Sequence, residues 1–176
     1  RKIILTYSDH ISFPITLKAA GKGKDEPAGA LNTASALWTR ARKDITAQQY
    51  KEFYHHVAHA ADDPWLTLHM RAEGVISYTG LLFIPSVRPF DLFEPERRLR
   101  VKLYVKRVFI SDDCKGLLPV WLRFLQGVID SEDLDLNISR EMLQNNRVGA
   151  KIRSGITKRL LTDLSKKAEK EPEAYA

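Results

Sequence analysis

A single cysteine, Cys114, stands among the 176 residues. It excludes an internal disulfide and fits a reducing compartment. No apolar run approaches the ~20 residues that a membrane helix needs. The opening Arg1-Lys2-Ile3-Ile4-Leu5-Thr6-Tyr7 is not a signal peptide, because the apolar stretch is short and Asp9 follows it. There is no initiator Met, so the sequence reads as a piece of a longer chain. Internal repeats are missing. Gly21-Lys22-Gly23-Lys24 lacks the spacing of a phosphate loop and does not sit between an obvious strand and helix. The zinc-protease signature is missing too. His55 and His59 are one helical turn apart, but His56 stands where that chemistry needs glutamate, and no third ligand is near in sequence. These read as rim histidines. Cys114 follows Asp112-Asp113 with no partnering histidine in view, which argues against a thiol nucleophile.

What is present is globular: 44% hydrophobic and 28% charged residues, in a length that suits one domain. The net charge of +6 has one address. Residues 147–170 hold eight basic residues against Asp163 and Glu169, a surplus equal to that of the whole chain. Such a stripe suits a polyanion or a solvated helix face. The segment contains no aromatic residue, which weakens a nucleic-acid reading.

Along the chain, alternation of Ile11, Phe13, Ile15 and Leu17 predicts a strand over 10–17. Residues 19–34, with Gly21, Gly23, Pro27 and Gly29, read as a mobile surface loop. Thr46 and Gln49 form a capping-box pattern ahead of Tyr50, Phe53, Tyr54, Val57, Ala58 and Ala61, which predicts a helix over 46–61. Strands are expected at 65–71, 75–84 and 99–110, a helix at 118–126, and an acidic loop from Asp130 to Asp135. Leu134, Leu136 and Ile138 recur every second position, as in an extended, half-buried stretch. A short helix at 139–145 and a long one at 147–168 close the chain. In the long one, Val148, Ile152, Ile156, Leu160 and Leu164 form an apolar stripe. The expected class is α/β: an α/β/α layered domain with a mixed sheet, followed by connecting helices.

Two positions invite function. Arg140 falls in the first turn of the short helix, where the helix dipole disfavours a cation by roughly 0.3–1 kcal/mol. Gln144 lies on the same face one turn on, so the two can present a guanidinium fork and an amide to one anion; a plain surface arginine is the simpler alternative. Trp38, between the loop and the capped helix, is either packed on the domain rim or an anchor for a protein partner. Phe90, Leu92 and Phe93 admit the same two readings, with packing favoured.

Taken in order, Leu37-Trp38-Thr39-Arg40, Tyr50-Lys51-Glu52-Phe53-Tyr54, Leu82-Phe83-Ile84-Pro85, Pro89-Phe90-Asp91-Leu92-Phe93 and the run Leu103 to Ile110 belong together. With Trp121-Leu122-Arg123-Phe124, Asp130-Ser131-Glu132-Asp133-Leu134 and Asn137-Ile138-Ser139-Arg140-Glu141-Met142-Leu143-Gln144, the chain resembles the middle domain of the ninety-kilodalton heat-shock chaperone family, in its bacterial form. The resemblance implies a cytoplasmic, homodimeric, ATP-driven chaperone. Its ATP and Mg are bound mainly by an N-terminal ATPase domain outside this chain, so the fragment itself is expected to hold no cofactor and to be no enzyme alone. Arg140 and Gln144 match the residues that reach the ATP γ-phosphate once that domain docks. Trp38 matches a position implicated in contact with client proteins. The implied division is a large α/β subdomain at 1–146, with its catalytic loop at 130–146, and basic connecting helices at 147–176, cut before a smaller second subdomain. Asp135 stands where the family's loop commonly has proline. The alternative reading is a basic nucleic-acid-binding α/β domain; a freestanding hydrolase using His55, His59 or Cys114 is the third. No membrane partner is implied.

Overall fold

The computed structural model describes residues 2–17, 29–94, 97, 99–113, 116–136, 138 and 146–175. Five strands form one mixed sheet in the spatial order β1-β2-β5-β3-β4. They are β1 (Pro64–Ala72), β2 (Tyr78–Pro85), β3 (Arg100–Val105), β4 (Val108–Ser111) and β5 (Gln126–Ser131). Only β3 and β5 run parallel, with Leu103 opposite Ile129 and Val105 opposite Ser131; the other pairs are antiparallel.

Helices cover both faces, as the layered expectation required. A short α1 (Lys2–Tyr7) precedes α2 (Ala47–Ala58), which lies on one face; α3 (Arg147–Lys170) lies on the other, and a single turn, α4 (Pro172–Tyr175), ends the chain. Alternation along the strands serves both layers. Leu81, Phe83, Tyr104 and Val128 pack with Trp38, Tyr54 and Val57 on the α2 side. Leu82, Val101, Leu103, Val105 and Ile129 pack with Ile152, Ile156 and Leu160 of α3. The apolar stripe of the basic segment therefore has its partner within the sheet. Its cations stay outside: Lys151, Lys158, Arg159 and Lys166 are exposed, and Arg159 donates to Asp163 over 2.9 Å.

The capping box forms as its residues require. Thr46 Oγ1 accepts from Gln49 N at 3.2 Å, and Thr46 N donates to Gln49 Oε1 at 3.0 Å. The helix stops earlier than the proline signal suggests, because His59 turns left-handed with φ 52°.

Five expectations are corrected. Residues 10–17 are not a strand: Asn32 supplies the partners a ladder would, accepting from Ile15 N and donating to the carbonyls of Ile11 and Phe13. The run 99–110 is two strands, since Lys106 and Arg107 both adopt positive φ, 51° and 65°, and fold the chain into a two-residue hairpin. The helix expected over 118–126 shrinks to one 3-10 turn, Val120–Leu122. Residues 126–131, read in part as an acidic loop, are a central strand in which every residue is buried. Beyond it the backbone turns instead of extending: Ile138 N donates to Asp135 O at 3.1 Å, and Leu136 is exposed while Leu134 and Ile138 are buried. The short helix expected at 139–145 lies outside the described residues, as does Cys114.

Gly127 explains how β5 fits between its neighbours. Its φ is +132°, and a Cβ there would lie 2.2 Å from Leu81 O and 3.0 Å from Leu82 Cα. Both are backbone atoms and cannot step aside. Gly127→Ala should lower unfolding free energy by about 3 kcal/mol, through backbone strain and displaced sheet pairing. Urea denaturation monitored by circular dichroism measures this; a loss below about 1 kcal/mol would mean the strand tolerates a side chain there.

Candidate functional site

The carboxyl ends of the parallel pair β3 and β5 open into a polar cleft of about 670 Å³. Ligands in open α/β sheets commonly bind outside such strand ends. The lining is drawn from chain segments far apart in sequence, including Ser12, Arg71, Tyr78, Arg107, Asp130 and Glu132.

Asp130, buried at 5% exposure, organises this end. Its Oδ2 accepts from Trp38 Nε1 at 2.8 Å, and its Oδ1 accepts from Arg107 N at 3.2 Å. Burial raises its pKa above the ordinary carboxylate value, and these two donors pull it back in part. The left-handed turn at Lys106-Arg107 is held by this carboxylate and by Lys106 N donating to Ser131 O at 3.1 Å. Arg107 then sends its guanidinium to Ser12 Oγ at 2.9 Å.

Trp38 is 0% exposed. It is packed against Tyr104, with ring centroids 4.9 Å apart, and against His10 at 4.6 Å. Of the two readings of Trp38, the packed one describes its place: the indole is a core element. His69 extends the network. Its Nε2 faces the carbonyl of Trp38 at 2.9 Å, so that nitrogen carries the proton, and Nδ1 accepts from the Tyr50 hydroxyl at 2.7 Å. Burial lowers the pKa of His69 below 6.5.

The loop expected to carry catalysis is anchored at both ends. Ser77 O accepts from Glu132 N at 3.1 Å, and Ser77 N also bonds Asp133 Oδ2. Leu134 and Ile138 sink into the α3-side core. At the far end, Asn146 Oδ1 accepts from Val148 N at 2.7 Å and Gly149 N at 3.2 Å, capping α3. Arg140 and Gln144 lie outside the described residues. No group of three metal-ligating side chains occurs among the described residues. His55 instead bonds Asp62 O at 3.0 Å, and His59 closes the helix.

A second surface escaped the sequence. Phe90 is 97% exposed and Phe93 79%, although packing was favoured for both; Leu92 is half-buried. Val120 and Trp121, on a second turn, are exposed as well. Arg123 Nη1 donates to Glu94 O at 3.0 Å and ties the two turns together. The only signal available was a cluster of aromatics between prolines, which does not by itself distinguish core from surface.

These features define a layered α/β domain with a polar cleft at one sheet end and exposed aromatic side chains on two joined turns. Comparison with known proteins goes further. Residues 22–176 match the Hsp90 protein family. The chain is 61% identical over 169 residues to the chaperone protein HtpG of Paramagnetospirillum magneticum, covering 96% of this chain and 26% of that protein. It is 56% identical to HtpG of Roseobacter denitrificans (100% and 27%) and 57% identical to HtpG of Rhodospirillum rubrum (99% and 27%). The chain belongs to the Hsp90 family, and it spans about a quarter of the length of these relatives. No helix among the described residues is long and apolar enough to cross a membrane.

Two outcomes follow from the Trp38 network. Trp38→Phe leaves a buried carboxylate oxygen without its donor and should cost about 1–3 kcal/mol in urea denaturation. The second concerns pH. Folded His69 titrates below 6.5 while the unfolded residue titrates near its ordinary value. As pH falls through 6.5, the unfolded state binds the proton first and stability drops. His69→Gln, which can keep both bonds, should make the loss of stability between pH 7 and 5 shallower; an unchanged slope would place the titration elsewhere.

Proposed function

We propose that this chain is the middle-domain portion of a cytoplasmic, ATP-dependent molecular chaperone that works as a homodimer. Its task is to complete the ATPase site of a separate N-terminal domain and to contribute to binding of client proteins. The observation that carries the reading is the family match across residues 22–176, with HtpG relatives 56–61% identical over almost the whole chain.

The chemistry is consistent with that assignment. Phosphoryl transfer gains most from positioned positive charge on the γ-phosphate oxygens, and an arginine supplied by another domain provides it. Arg140 is the residue proposed for that role, with Gln144 assisting. ATP and Mg would be held mainly by the N-terminal domain. Glu132 N bonded to Ser77 O, Leu134 and Ile138 buried in the α3-side core, and Asn146 capping α3 support the role, because residues flanking the motif are held in place. Domain closure would then bring the loop to the nucleotide and couple hydrolysis to conformation.

Client contact is better supported at Phe90, Phe93 and Trp121 than at Trp38. Exposed aromatic side chains on two turns that a hydrogen bond joins suit a protein-binding surface. Nucleic-acid binding has no comparable support, since the exposed cations of α3 are interleaved with an ion pair to Asp163 and one to Glu171.

The test is steady-state ATP hydrolysis by the full-length parent, wild type against Arg140→Ala, with nucleotide affinity measured beside it. Turnover should fall by about 10² or more with affinity nearly intact. Unchanged turnover would remove Arg140 from the reaction.

A further inference from the structure

A pocket of about 630 Å³ opens on the α2 side of the sheet, away from the polar cleft. Its floor is apolar: Val57 of α2, Tyr104 of β3, Val128 of β5 and Leu5 of α1. Its polar lining is of one kind. Lys2, His10, His56, His59 and Lys102 come from α1, the turn after it, α2 and β3, and no aspartate or glutamate lines it among the described residues. The nearest acids act from outside. Asp9 favours the charged form of His56, and Asp112, past the end of β4, favours that of Lys102.

The groups in this pocket crowd one another. Partial burial holds His56 below its ordinary 6.5, and Lys102, His10 and His59 add repulsion in the same direction. Burial likewise lowers Lys102, which stands on a central strand opposite Val128. His10 is fixed: its Nδ1 lies 2.9 Å from Ser35 O, and its ring rests on Trp38 and Tyr104. Among the described residues, no hydrogen bond or ion pair engages the side chains of His56, His59 or Lys102. A half-buried lysine beside three imidazoles, above an apolar floor, is an arrangement that a bound negative charge would stabilise. The volume suits a small ligand, and such sites typically combine an apolar body with a few convergent polar groups.

We propose that this pocket binds a small amphipathic anion, with Lys102, His56, His59 and His10 around the charged head and Leu5, Val57, Tyr104 and Val128 beneath the apolar body. Binding strengthens as His56 takes up its proton, so the anion is held more tightly at acidic than at alkaline pH. Nothing in this assignment depends on the ATPase reading.

Benzenesulfonate is a suitable probe, because its own charge stays constant across the range. Isothermal titration calorimetry on the 176-residue chain should show binding about tenfold tighter at about pH 5.5 than at about pH 8. Inorganic sulfate, which lacks the body, and benzyl alcohol, which lacks the charge, should each bind more weakly. Lys102→Met should weaken benzenesulfonate at both pH values. His56→Gln, on the surface of α2 where glutamine is a good helix former, should reduce the pH dependence and leave the fold intact. Equal binding by wild type and His56→Gln at both pH values would overturn the proposal, whether or not Lys102→Met folds. So would benzenesulfonate binding no tighter than benzyl alcohol.

Discussion

A buried carboxylate at the end of a central strand is a costly thing to place, and Asp130 is tolerated because both of its oxygens are engaged. One takes the indole N–H of Trp38 and the other the backbone N–H of Arg107. Three segments that are remote in sequence thereby meet at one side chain: the turn before α2, the β3–β4 hairpin and β5. The hairpin needs this support, since two consecutive left-handed residues other than glycine cost about 1–2 kcal/mol each. The aromatic layer under α2 depends on it as well. Trp38 is held at the depth where it packs on Tyr104 and where its carbonyl meets His69.

From this fixed point the rest of the domain is ordered outward. β5 passes between β2 and β3 because Gly127 lets the backbone of β2 come close. It ends at Ser131, and the chain then leaves the sheet under the control of Ser77 and of Leu134. α3 takes over at Asn146 and returns its apolar stripe to the opposite face of the same sheet. The described residues on either side of 139–145 are thus held by rigid elements.

Much of this was legible. The capping box at Thr46 and Gln49, the strands around Leu68 and Leu82, and the four-residue stripe of α3 were readable because each is a local pattern with a local cause. The failures share a different cause. The hairpin at Lys106-Arg107 has no glycine or asparagine to announce it; it is imposed by Asp130. The segment 10–17 has the alternation of a strand, yet Asn32 supplies its partners in place of a ladder. β5 is short, begins with glutamine and glycine and ends in aspartate and serine, so it reads as polar although every residue in it is buried. Of the candidate site, Arg140 and Gln144 were legible as a motif, whereas the cleft and the exposed patch of Phe90, Phe93 and Trp121 were not.

The amino-acid sequence by itself determined the class of the domain, its family and the motif that carries the proposed catalytic arginine. Those depend on residue type and spacing along the chain, which are present before folding. Tertiary structure alone decided whether Trp38 faces solvent or core, where the histidines and Lys102 converge, and which aromatics remain outside. Burial and convergence arise from pairs of residues far apart in sequence, such as Trp38 and Asp130, and no local pattern encodes the distance between them.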